Sequence, residues 1–142
     1  MFLCWFLRAI LLIALIAITF SACSLNVNYS KASAATVRFH DLVDRSEFGA
    51  IYDSSSVGFQ QGTTREQWVG LMNRIRRKLG VCTGSTPTWQ AFQVTTSGTF
   101  VTINGTRNCA NGKLDETFVW KSVNGEVQLF KYGAGNPLLL TD

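Results

Sequence analysis

Two hydrophobic periods divide this chain. Up to Leu79 the apolar residues recur every three to four positions, as on one side of a helix. From Val81 onward they alternate with polar residues, as on a strand with one covered face. In the first part Ala35, Phe39, Leu42 and Val43 share a helical face, and Phe48, Ile51 and Tyr52 form a second short apolar set ahead of Ser54-Ser55-Ser56. The clearest helix runs from Thr64 to Leu79. Thr63 and Glu66 have capping-box spacing, in which each side chain satisfies an otherwise unpaired backbone N–H. Trp68, Leu71, Met72, Ile75 and Leu79 make its buried stripe, and Gly80 ends it. Arg74, Arg76, Arg77 and Lys78 crowd its last turns, where positive charge complements the helix dipole. They read as a solvated basic face before they read as an anion or lipid-headgroup site.

In the second part, turn chemistry predicts register. Asn111-Gly112 and Asn124-Gly125 are two-residue hairpin signals, because a type I′ turn needs positive φ at both positions. The second turn sets Trp120 against Leu129 and Ser122 against Val127; the first sets Ile103 against Trp120 and Val101 against Ser122. A turn at Ser97-Gly98 adds Val94 against Val101 and Phe92 against Ile103. All three hairpins put Phe92, Val94, Val101, Ile103, Phe118, Trp120, Val127 and Leu129 on one face. The expected fold is α+β, with N-terminal helices packed on one face of a curved four-stranded antiparallel sheet. The same register sets Arg107 opposite Glu116 and leaves Trp89, Val119, Phe130 and Tyr132 on the second face as a candidate ligand or partner surface.

The N-terminus reads as an address. Arg8 precedes an apolar run from Ala9 to Phe20, followed by the small residues Ser21 and Ala22 and then Cys23. This is signal-peptide architecture, and Ser21-Ala22-Cys23 resembles the lipobox of bacterial lipoproteins. The expected organisation is a signal peptide over residues 1–22, a tether over 23–31 that begins at a lipidated Cys23, and one α+β domain over 32–142. Two other readings stay open: simple secretion, and an uncleaved anchor over residues 2–20, in which Arg8 would cost about 2.5–3.5 kcal/mol if central. All three place the domain outside the cytoplasm, and the lipoprotein reading anchors it at the cell envelope, facing the periplasm (at the outer membrane in a Gram-negative cell).

That address changes how the cysteines and charges read. Cys4 leaves with the signal and Cys23 carries lipid, so Cys82 and Cys109 stand as a candidate disulfide in an oxidising compartment, or as two separate thiols. Their straight register is several residues apart, and a bond needs the chain to bend around Gly84 to Pro87. The formal net charge of +4 loses one unit with Arg8, too small an excess to imply nucleic acid.

Several stretches carry a resemblance. Glu47 to Ser56, Thr64 to Trp68, Arg77 to Gly80, Gly112 to Trp120 and Leu129 to Gly133 together span most of residues 36–140. They are similar to a family of small bacterial envelope proteins with a domain of unknown function, and the order of elements resembles the cone-shaped nuclear-transport-factor-2-like (cystatin-like) fold. The resemblance implies a fold and no activity, so it brings no catalytic residues.

Candidate chemistry is thin. His40 is the single histidine. His40 and Asp44 share a helical face, but two ligands are too few for a zinc site, so no metal and no cofactor are expected. Carboxylate chemistry of the ketosteroid-isomerase kind would need Asp53, Asp115 or Glu116 with Tyr52 or Tyr132, and nothing singles out a pair. No phosphate-binding, nucleophile-elbow or C-x-x-C motif occurs. The expectation is a non-enzymatic envelope lipoprotein, held to a membrane by its lipid, that binds a partner protein, a second copy of itself or a small apolar ligand. Its rivals are a tethered isomerase or hydrolase with a carboxylate in the cone pocket, and an inhibitor that blocks an envelope partner.

Overall fold

The computed structural model describes residues 28–140. Cys4, Cys23 and the expected signal segment lie outside them. A first helix, α1, occupies residues 28–44, so helix takes in residues 28–31 that the sequence assigns to the tether. It closes in a Schellman turn: Ser46 is left-handed (φ 61°), its N–H donates to Val43 O, and the Glu47 N–H returns to Leu42 O at 2.9 Å. Three helices follow, α2 (Phe48–Asp53), α3 (Val57–Gly62) and α4 (Arg65–Leu79). The short α3 carries too few apolar positions to show a period. Its start is set by Ser56, whose side chain accepts from Phe59 N–H while its own N–H donates to Leu129 O.

The capping box of α4 forms one residue later than the spacing of Thr63 and Glu66 suggests. Thr63 ends α3 in an extended conformation, so Thr64 accepts from Gln67 N–H and the Gln67 side chain answers the Thr64 N–H. Trp68, Met72, Ile75 and Leu79 are buried as the stripe predicts, whereas Leu71 is exposed. Arg76 of the basic cluster has a structural task. Its Nη1 donates to Val43 O at 3.1 Å, a second donor to a carbonyl at the end of α1.

The strands β1 (Cys82–Thr95), β2 (Gly98–Cys109), β3 (Gly112–Val123) and β4 (Glu126–Gly135) pair antiparallel in chain order, and the sheet is not closed. Asn124-Gly125 has positive φ at both positions (51° and 83°) and pairs Trp120 with Leu129 and Ser122 with Val127, as expected. The other two turns differ. Their two-residue loops are Thr96-Ser97 and Ala110-Asn111, and Gly98 and Gly112 come directly after them with φ of 130°. The glycine therefore supplies the positive φ just past the turn, as where a turn is followed by a G1-type bulge. This moves each register by two residues: Phe92 faces Val101, Val101 faces Trp120, and Ile103 faces Phe118. A shift of two keeps every side chain on its face. Val94 does move beyond the helical cover, opposite Thr99, and is 68% exposed. Arg107 faces Leu114, and Glu116 faces Gly105, so the two are not opposite each other.

Three single-residue shifts then shape the sheet. Two in β1, between Thr83 and Thr86 and between Pro87 and Trp89, bring Cys82 opposite Cys109, and the two are disulfide-bonded. The required bend is therefore supplied by two bulges, the first of which contains Gly84 at a φ of 64°. The third lies in β4 at Phe130: Trp120 pairs with Leu129, but Val119 pairs with Lys131 and Phe118 with Tyr132.

The helices cover one face of the sheet. Phe39, Trp68, Met72 and Leu79 from the helices meet Val101, Ile103, Phe118, Trp120 and Leu129 from the strands in one buried cluster. Each such large side chain contributes about 1.5–3 kcal/mol by leaving water. The buried indoles are not left unpaired: Trp68 Nε1 donates to Phe48 O and Trp120 Nε1 to Thr36 Oγ1.

Candidate functional site

Alternation carries charge into the core. In β3, Leu114, Glu116, Phe118 and Trp120 are all buried, and in β2 Arg107 is in phase with Val101 and Ile103. Glu116 and Arg107 are each only 3% exposed. A buried ion is costly unless it is paired and hydrogen-bonded, and here both side chains find partners. Glu116 Oε2 lies 2.8 Å from Nε2 of His40 on α1, and Oε1 accepts from the Tyr132 hydroxyl of β4 at 2.8 Å. Arg107 Nη2 reaches both oxygens of Asp44 (3.1 and 3.3 Å) and Cys82 O (2.8 Å), and its Nε reaches Gly84 O. His40 and Asp44, one helical turn apart, thus serve two different strands.

The β4 bulge is what admits Tyr132. The uninterrupted register puts its ring on the second face; the extra residue at Phe130 turns it inward, against Phe39, Trp68 and Phe118 at centroid distances of 5.2, 5.5 and 5.3 Å. Burial holds its phenol well above the usual range, the Glu116 charge and hydrogen bond push the same way, and Arg107 partly opposes them. The phenol therefore keeps its proton and donates the hydrogen bond to Glu116. Beside Arg107, Glu116 and Tyr132 there is a cavity of about 30 Å³, room for about one water. A larger cavity, about 100 Å³, has His40 in its wall on the other side. Among the described residues no three His, Cys, Asp or Glu side chains come together as metal ligands.

The second face retains the rest of the expected surface. Val119 is half-buried, and Phe130 is 36% exposed, with its ring 5.1 Å from that of Phe100. Gly58 of α3 is pressed against Phe130, where a Cβ would come within 2.6 Å of the ring. Lys121 Nζ sits 5.8 Å over the Phe100 ring. Trp89 is in β1, at the register position of Asn104. Val119 and Phe130 thus share this face, Tyr132 does not, and Phe100 joins them. Glu116 and Arg107 carried a signal in the sequence, being charged residues in phase with a buried hydrophobic row. Phe100 carried none beyond its aromatic ring.

The chain matches no protein-family model and no curated protein. Among the described residues no helix is long and apolar enough to cross a membrane.

Proposed function

We propose that this protein is an exported, non-enzymatic lipoprotein of the cell envelope, tethered through Cys23, that binds a partner protein with the second face of its sheet. The observation that carries this reading is Phe130, turned outward at a bulge and paired with Phe100 beside Val119, on a sheet whose other face is already covered by helices. The finer architecture we propose is a curved four-stranded sheet of the cone-shaped, cystatin-like kind. From Cys23 to the described start of α1 at residue 28 the chain spans at most about 17 Å, so the domain would ride close to the lipid. Lys31 donates to Gly125 O and pairs with Glu126, so the start of α1 lies at the β3–β4 turn. The end bearing the disulfide and the C-terminus of α4 would point away from the membrane.

The test has two arms. Intact mass of the membrane-extracted protein should give a diacylglyceryl chain starting at Cys23; an intact Met1 start refutes the lipoprotein. A photo-cross-linking residue at Phe130 should capture a defined protein, or a second copy, that the same residue at exposed Lys113 does not. Equal capture at both positions, or none, overturns the partner surface.

Buried Glu116 favours a second reading, a tethered isomerase or hydrolase with a carboxylate in the interior. Both of its oxygens are already engaged and the space beside it admits about one water. Binding is therefore the better-supported reading.

A further inference from the structure

The sheet has two edge strands, β1 and β4, and they are protected unequally. β4 carries Glu126 and Lys131, interrupts its ladder at Phe130, and is met by the Ser56 N–H at Leu129 O. Such devices discourage a second chain from adding a strand. The first part of β1 has its own: two bulges, and Pro87, which has no N–H to offer. Beyond them the ladder runs unbroken from Trp89 to Thr95, as Trp-Gln-Ala-Phe-Gln-Val-Thr. This stretch holds no charge, no proline and no glycine, and it is rich in strand formers. Among the described residues, no backbone group outside β2 bonds to the backbone of Gln90–Thr95.

The same stretch leaves Val94 without cover. Val94 is in phase with Phe92 and so belongs to the helical side of the sheet, yet it lies beyond the helices and is 68% exposed. Four residues back on that side the cover is present, where the Tyr29 hydroxyl of α1 accepts from Gln90 Nε2. A second copy running antiparallel supplies what each edge lacks. The midpoint of Trp89–Thr95 is Phe92, so pairing along the whole stretch sets Phe92 against Phe92. It also sets Val94 against Gln90 of the second copy, beside the Tyr29 that covers it. With no charge in the stretch, the two copies meet no repulsion. Directly opposed residues point to the same side of a sheet. The helices of both copies therefore share one side, and both Phe100–Phe130 clusters share the other.

We infer that the protein forms a two-fold dimer through Trp89–Thr95 of β1, joining two sheets into one. This edge is separate from the Phe100–Phe130 surface and stands or falls independently of what that surface binds. The test is disulfide trapping in the full chain, with single cysteines introduced along β1 and a mild oxidant added. Opposed Cα atoms in such a pair lie about 4.5–5.5 Å apart, within disulfide reach. Phe92→Cys alone should give a covalent dimer. Gln90→Cys alone and Val94→Cys alone should not, since each lies about 14 Å from its own counterpart, whereas the two co-expressed should. Ala91→Cys co-expressed with Gln93→Cys reads the same register should Phe92→Cys fail to fold. Val94→Lys, a charge at an exposed edge position, should lower trapping through Phe92→Cys about tenfold. No trapped dimer, as when another protein or the chain's own N-terminal segment takes the edge, overturns the proposal. So does trapping by Gln90→Cys alone as readily as by the pair, or trapping unmoved by Val94→Lys.

Discussion

Nε2 of His40 lies 2.8 Å from Oε2 of Glu116, joining the first helix to the third strand through a hydrogen bond in which the Glu116 side chain is only 2% exposed. The pair is completed by Tyr132, and the stability of the domain depends on that completion.

Tyr132→Phe keeps the ring packing and removes only the hydroxyl, leaving one buried Glu116 oxygen without its donor. The expected loss is about 1–3 kcal/mol, read as a lower urea midpoint at unchanged slope. In a Glu116→Ala background the same substitution should cost much less, which a double-mutant cycle measures.

Alkali should unfold the protein through the same residue. The folded Tyr132 phenol is held above its unfolded value near 10, so its contribution is complete below about pH 10 and falls away as pH rises further. Stability should therefore decline above about pH 10, and the Tyr132→Phe variant should decline less steeply. Thermal midpoints measured across that range check it; parallel profiles would refute it.

The Cys82–Cys109 bond closes a separation of 27 residues, which the chain-entropy treatment values at about 3.5 kcal/mol. The double variant Cys82→Ser with Cys109→Ser should lose roughly that amount. It should also lose sensitivity to reductant. Since Arg107 donates to Cys82 O, amide exchange around Arg107 should quicken as well.

Deleting Phe130 should be tolerated. Without it, Leu129 and Lys131 become successive partners of Trp120 and Val119, and Tyr132 stays opposite Phe118. The expected cost is about 1–3 kcal/mol, since the half-covered ring is lost from both Phe100 and Gly58. Tyr132 should remain inside, visible as a retained alkaline profile, while capture of a partner at the second face is lost.

Gly70 lies at the middle of α4, exposed, with open space where a Cβ would be. Gly70→Ala should raise stability by about 1 kcal/mol through helix propensity alone. Gly112→Ala, at a φ of 130°, should lower it by a similar amount; thermal denaturation of the two variants would show opposite signs.

Much of the architecture was legible along the chain. The change of period at Gly80 separated helices from strands, the stripe through Trp68, Met72, Ile75 and Leu79 named the helical side of the core, and Val101, Ile103, Phe118, Trp120 and Leu129 named the sheet side. The candidate site was half legible. Val119 and Phe130 share the second face as read, but Tyr132 does not, because one extra residue in β4 reverses parity. Glu116 and Arg107 sat in plain view at core positions. Their partners did not, since His40 is 76 residues from Glu116 and Asp44 is 63 from Arg107.

What the sequence alone determined are the features whose causes are local: the helix stops, the side-chain period, and the Asn124-Gly125 turn, whose two residues both accept positive φ. What only the tertiary structure decided are the features whose causes lie across the sheet. A glycine after a turn and a glycine within one differ by two residues of register, and local chemistry permits both. A bulge at Phe130 costs a ladder hydrogen bond and is stabilised only by what it puts inside, the Tyr132 ring among Phe39, Trp68 and Phe118 and its hydroxyl on Glu116. Such a choice is made by packing and by the need to satisfy a buried carboxylate, and both depend on residues that the chain brings together only when it folds.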